Sequence, residues 1–260
     1  MVVDWEVREA GPRDAGHTVL LLPGGMCSAG SYAELIAEGA LGGIRLVAAT
    51  LPGHAGAPPP KDYSIVNYAQ LASELAANVN ADVVVGFSMG ASVALEMVAS
   101  SGFRGPVVLL GVALSTKDEP AFFRAIVRLS SVLGGLPAAV LAKGAGSMVK
   151  RIPVSAERQR ELREDFGKNV SAHTRKGLNE YLRWLHGNER PAERLCQAGV
   201  PAWVVHAEKG DGGLTDDERK TLEACPQAHL LTIPGHVFFM PNEIPDRIAD
   251  IILDAVAQAG

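Results

Sequence analysis

Residues 83–91 read Val-Val-Val-Gly-Phe-Ser-Met-Gly-Ala, a run of β-branched residues that stops at Ser88 between Gly86 and Gly90. A serine on a sharp strand-to-helix turn takes strained backbone angles, and the chain on either side must pass close by with no Cβ in the way. The spacing therefore predicts a buried strand over 83–87, a hydroxyl lifted out of the sheet at Ser88, and a helix from Met89. That helix carries Gly90, Ala91 and Ala94 with Val93, Leu95, Met97 and Val98, a distribution wide enough to call for burial against a sheet. Gly102 supplies the stop.

A Gly-x-Ser-x-Gly stretch between strand and helix resembles the nucleophile turn of the α/β-hydrolase family, and other stretches extend the resemblance over residues 18–110 and 202–256. Short apolar runs at 18–22, 45–49, 83–87, 106–110, 202–206 and 229–233 read as strands covered on both faces, and 2–8 as an edge strand. Helical patterns lie between them. Ile65, Tyr68, Ala72, Leu75 and Val79 mark one helical face, and Ile244, Ile248, Ile251, Ile252 and Ala255 stripe the last helix. Ser31 with Glu34, and Thr215 with Glu218, have the spacing of capping boxes. Strand alternating with helix implies an α/β fold with a mostly parallel central sheet, helices on both faces, and ligands at the carboxyl ends of the strands.

The alternation breaks between 116 and 191, where only helical patterns occur. The resemblance makes this a helical cap inserted into a hydrolase core formed by residues 1–115 and 192–260. The alternative is an outer helical layer of the core. Apolar residues at 121–129, with Val132, Leu133, Leu136 and Val140, exceed what an outer helix needs and predict a neutral acyl pocket; ordinary packing gives the same pattern.

In the family, one N–H of the oxyanion hole comes from the loop after the first central strand and the other from the residue after the nucleophile. The corresponding residues are Leu22-Pro23-Gly24-Gly25-Met26-Cys27 and Met89. By position the loop donor is Gly25, with Met26 the competitor. Many relatives have His-Gly where this chain has Pro23-Gly24, and read without the resemblance Pro-Gly-Gly is an ordinary turn. Thr50-Leu51-Pro52-Gly53-His54-Ala55-Gly56 resembles a family turn whose first acid is here Thr50; His54 is read as structural, bonding nearby backbone.

His236, after the last strand and before the terminal helix, occupies the place of the family's catalytic histidine. An imidazole with the ordinary pKa of about 6.5 can take the serine proton and return it to a leaving group. Asp211, in 205–213, falls where the triad acid belongs; Glu208 on the same loop competes, and Asp216 and Asp217 read as acids at a helix N-terminus. Ser88, Asp211 and His236 then follow in the order Ser…Asp…His of this family.

The resemblance thus implies a serine hydrolase, carboxylesterase-like, that cleaves a small ester, lactone or thioester through an acyl-enzyme. A serine nucleophile argues against the dehalogenase branch, which uses aspartate. Two other uses of the fold stay open: a non-hydrolytic reaction such as perhydrolysis or a lyase step, and a ligand receptor or scaffold with little turnover. No metal or organic cofactor is expected, because no His/Cys/Asp cluster has ligand spacing and no phosphate loop is present. In a chain of 260 residues the net charge of −5, with no basic cluster, points to a small-molecule substrate rather than nucleic acid or an anionic membrane. Cys27, Cys196 and Cys225 are few and odd in number, which suggests a reducing compartment without a disulfide framework. With no signal-peptide pattern at the start and no uninterrupted apolar span, a cytoplasmic location is expected.

Overall fold

The computed structural model describes residues 4–118, 149–150, 152–209 and 212–260. Among them seven strands form one sheet in the order β1-β3-β2-β4-β5-β6-β7. The strands are β1 (Val7–Ala10), β2 (Thr18–Leu22), β3 (Arg45–Ala49), β4 (Val83–Phe87), β5 (Val107–Leu110), β6 (Ala202–Lys209) and β7 (Ala228–His236). Strand β1 pairs antiparallel with β3 at the edge, and every other pairing is parallel.

Because side chains alternate across a strand, each apolar run feeds two cores. Leu20 and Leu22 of β2 and Val84 of β4 enter one core, with α2 (Ile65–Val79), α3 (Met89–Ala99), α5 (Ser171–Gly187) and α6 (Pro191–Ala198). Val19, Leu21, Val83, Val85 and Phe87 enter the other, against α1 (Ala33–Ile36), α4 (Ala156–Gly167), α8 (Met240–Glu243) and α9 (Pro245–Val256). Strands β2, β4 and β5 are buried at every position, which is why they read as continuous apolar runs rather than alternating ones.

The expected Thr215 capping box is present at the start of α7 (Asp216–Glu223). The one expected at Ser31 is not. Ser28 instead caps a short 3₁₀ turn, the Ser31 hydroxyl donates to the Ser28 carbonyl, and the Glu34 carboxylate is taken by Arg158 and Asn242. A long-range ion pair has claimed the side chain that local spacing assigned to a cap.

The cysteines also depart from expectation. Cys196 at the end of α6 and Cys225 after α7 are joined as a disulfide, with Cα atoms 5.7 Å apart, while Cys27 is free and buried. Sequence spacing carried no sign of this, because α6 and α7 meet only when the chain folds and packs them against each other. The argument for a reducing compartment loses that support. Among the described residues, no helix is long and apolar enough to cross a membrane.

The helices α4 and α5 lie between β5 and β6 in the chain, as the break in alternation predicts. Residues 119–148, which include the apolar stretch expected to line an acyl pocket, lie outside the described residues.

Candidate active site

Ser88 stands between β4 and α3 with φ 50° and ψ −118°, a backbone region that residues with side chains rarely adopt. Its flanking glycines are required by contact. A Cβ on Gly86 would lie 2.3 Å from the Gly90 carbonyl oxygen, and one on Gly90 would lie 2.2 Å from the Leu22 oxygen. The elbow is therefore pressed against the end of β2, and its register is fixed by the Ser88 N–H donating to the Leu110 carbonyl at 2.8 Å.

That close approach brings in the turn after β2. A Cβ on Gly24 would lie 3.5 Å from the Ser88 Cβ, and one on Gly25 would lie 3.3 Å from the Met89 Sδ. Gly25 and Met89 are thus neighbours. Met89 is the first residue of α3, so its N–H has no acceptor within the helix. Among the described residues no acceptor meets the Gly25 N–H either. The Met26 N–H, by contrast, donates to His54 Nδ1 at 2.9 Å.

His54 is buried, and burial pushes its imidazole down to about 4. It bonds backbone as the sequence suggests. Thr50, which replaces the family's acid, accepts from the Ala29 N–H at 2.8 Å and so ties the end of β3 to the chain beyond the turn. Asn169, between α4 and α5, is a residue the sequence did not single out. Its Nδ2 donates to the Met26 carbonyl at 2.8 Å, and its Oδ1 accepts from the Ala55 N–H at 2.9 Å. The contact with Met26 spans 143 residues, so no local pattern could have announced it.

His236 is the last residue of β7, where it pairs in register with Lys209, rather than lying beyond the strand as expected. Strand β6 likewise runs on to Lys209, which places Glu208 on the strand end instead of in a loop. The Glu208 carboxylate accepts from the Gly235 N–H at 3.0 Å, beside His236. Asp211 lies outside the described residues.

A small cavity of about 10 Å³ lies behind the Met26 turn, walled by Met26, Cys27, Leu162, Phe166 and Phe239 with Ser28, Asp165 and Asn242 as polar neighbours. Phe239 also packs on Phe87, the residue before Ser88, at a ring separation of 6.1 Å. Burial, with the Asp165 charge adding to it, pushes the Cys27 thiol up to about 12, so the sulfur in this wall is a neutral thiol. Among the described residues, no three His, Cys, Asp or Glu side chains converge as a metal site.

A wound parallel sheet with a strained serine at its central strand end, faced by a glycine turn, is the architecture of a catalytic α/β domain. The pattern of the alpha/beta hydrolase family matches residues 19–251, and the chain belongs to that family. Comparison with curated proteins found no match. Among solved structures, a putative aryl esterase from Burkholderia cenocepacia is 15% identical with a TM-score of 0.75, covering 97% of this chain and 94% of its own. The thioesterase domain from the curacin biosynthetic pathway is 18% identical with a TM-score of 0.72, over 95% and 94%. Est816, described as an N-acyl homoserine lactone degrading enzyme, is 18% identical with a TM-score of 0.72, over 97% and 96%. At these identities the likeness is one of fold.

Proposed function

We propose that the chain is a serine hydrolase that cleaves a small acyl substrate (ester, lactone or thioester) through an acyl-enzyme. Ser88 Oγ attacks the carbonyl carbon as His236 takes its proton, and the resulting oxyanion is held by the N–H groups of Gly25 and Met89. The C–O or C–S bond then breaks, His236 returns the proton to the leaving group, and water repeats the sequence to free the acid and Ser88. Asp211 orients the imidazole and stabilises the imidazolium. Helices α4 and α5 act as a cap, with residues 116–191 as the inserted unit.

The observation that carries this reading is the Ser88 backbone, held at φ 50° by neighbours that leave no room for a Cβ on either flanking glycine. Strain of that kind persists only where surroundings over-determine it, and it clusters at sites of chemistry. Gly25 is favoured over Met26 as the loop donor because the Met26 N–H is already given to His54. The esterase, thioesterase and lactone-degrading neighbours agree with acyl transfer without choosing among the bonds.

The test is turnover on nitrophenyl esters of rising acyl length, with a lactone and a thioester alongside, for the parent and Ser88→Ala. Turnover of short or medium neutral acyl groups, abolished in Ser88→Ala, is the expected result. A preference for dicarboxylate substrates would contradict the neutral pocket, and undiminished turnover in Ser88→Ala would contradict the nucleophile.

Glu208 is the second reading for the triad acid, favoured by one contact: its carboxylate already holds the Gly235 N–H next to His236.

A further inference from the structure

The turn that carries Gly25 is held from outside by two side chains with no place in the triad. The Cys27 N–H donates back to the Gly24 carbonyl at 3.1 Å, and Met26 sits at φ 69° in the third position of the turn. This is the type II arrangement, which ordinarily places glycine there. A residue with a side chain at that angle costs on the order of 1 kcal/mol, so the arrangement needs support from its surroundings.

That support reaches the Met26 residue at both its amide and its carbonyl. The Met26 N–H donates to His54 Nδ1 at 2.9 Å, and the Met26 carbonyl accepts from Asn169 Nδ2 at 2.8 Å. Since Nδ1 accepts, the ring proton belongs on Nε2, which faces the Tyr68 hydroxyl at 3.3 Å; that hydroxyl donates in turn to the Pro52 carbonyl at 2.8 Å. Asn169 Oδ1 takes the Ala55 N–H at 2.9 Å, so one amide group binds the two loops to each other. Helix α5 closes over the back of the ring: a Cβ on Gly177 would lie 3.4 Å from the His54 Cε1.

We propose that His54 and Asn169 are positioning residues for the reaction at Ser88, holding the Met26 peptide groups so that the neighbouring Gly25 N–H stays free and aimed for the oxyanion. The hold runs through the helices between β5 and β6, so docking of those helices and formation of the oxyanion hole become one event. Without the Nδ1 acceptor, the Gly25–Met26 peptide is free to turn over and relieve Met26, which changes the backbone of the donor residue itself. A donor displaced by about 1 Å costs on the order of a hundredfold in rate. The inference rests on the reading of Ser88 as nucleophile and Gly25 as donor.

Two substitutions separate positioning from packing. His54→Asn keeps an acceptor oxygen near the place of Nδ1 and loses the ring; His54→Phe keeps the ring and loses the acceptor. Positioning predicts that His54→Phe loses about tenfold to a hundredfold in kcat with KM within about twofold, and that His54→Asn stays within about threefold of the parent, even if it unfolds at lower urea. A packing role predicts the reverse ranking, with activity following ring volume, and that result would overturn the proposal. Asn169→Ala, at a half-buried position, provides a second variant and should lose about tenfold in kcat. Amide hydrogen exchange at Met26 reads the hold without any substrate: slow in the parent, fast in His54→Phe and faster than the parent in Asn169→Ala. Fast exchange in the parent, or unchanged kcat in both His54→Phe and Asn169→Ala, would also overturn it. Should Ser88→Ala retain turnover, the reading of the site would fall, while exchange at Met26 would still decide whether these side chains hold the turn.

Discussion

At the scale of single residues, the elbow is governed by the absence of atoms. Gly90→Ala would set a methyl 2.2 Å from the Leu22 oxygen and 2.6 Å from the Pro23 oxygen, against backbone that cannot yield. Gly25→Ala would come closest to the Met89 Sδ at 3.3 Å, the far end of a flexible side chain, with the Met89 Cβ at an ordinary 3.7 Å. Gly90→Ala is therefore expected to lose several kcal/mol, on the order of 3 or more, or to fail to fold, and Gly25→Ala to fold with a change of about 1 kcal/mol or less, as read by urea unfolding. The acid of the proposed triad is tested by a second pair. Asp211→Asn should keep the fold and cost on the order of 10⁴ in turnover by leaving the imidazole in the wrong tautomer, as in a related triad. Glu208→Gln, whose carboxylate holds the Gly235 N–H, should cost no more than about tenfold, or about 1.4 kcal/mol of barrier. The opposite ranking, on one ester with both variants shown folded, would assign the acid to Glu208.

At the scale of elements, helix α3, which follows Ser88, is anchored far from that serine. Glu96 of α3 is buried, and its carboxylate accepts from both Arg194 NH groups of α6 (2.8 and 3.0 Å), Trp184 Nε1 of α5 (3.0 Å) and Ser100 Oγ (2.6 Å). Burial pushes its pKa up, but the hydrogen bonds from Arg194, Ser100 and Trp184 outweigh that, and the group sits below the usual carboxylate range. Arg194→Ala leaves the charge buried without its cation and should cost about 3 kcal/mol. Glu96→Gln, which removes the charge and keeps an acceptor, should cost less, about 1 kcal/mol; denaturant unfolding of both variants gives the ranking.

What was legible in the sequence follows from the same division between local and distant contacts. Strands β2, β3 and β4 could be read to the residue because burial on both faces writes an unbroken apolar run, and the stripe of α9 because one buried face repeats along it. The Thr215 capping box was legible because its two partners are three residues apart. The Ser31 box, the Cys196–Cys225 bond and the Asn169 contacts were not, since each is decided by chain 29 to 208 residues away. Strand β6 outran its apolar run because its last residues, Glu208 and Lys209, are exposed: Lys209 pairs with His236 past an irregularity at Glu208, and neither has reason to be apolar.

For the whole molecule, two buried groups make stability depend on pH with opposite signs. His54 drops from 6.5 to about 4 through burial, so the unfolded chain binds the proton more tightly; its contribution is present above about pH 6.5 and is lost, by about 3 kcal/mol, as pH falls toward 4. Asp118 moves the other way. Burial, with the Glu218 charge adding to it, raises its carboxyl from 3.8 to about 6 against the N–H bonds of Ser115 and Leu114, so its contribution is present below about pH 4 and is lost as pH rises toward 6. In the parent the two trends oppose each other across this window. Asp118→Asn removes one of them, and its melting temperature should rise more steeply than the parent's between about pH 4.5 and 6.5. Equal slopes would mean that Asp118 does not titrate there.

The central claim is that Ser88 is the nucleophile, and covalent capture tests it most directly. The protein is treated with a fluorophosphonate, and the adduct is located by mass spectrometry of its peptides while ester turnover is followed in the same sample. One adduct on Ser88, forming at the rate at which turnover disappears and absent from Ser88→Ala, is the predicted result. An adduct elsewhere, or turnover lost while Ser88 stays unmodified, would contradict the account.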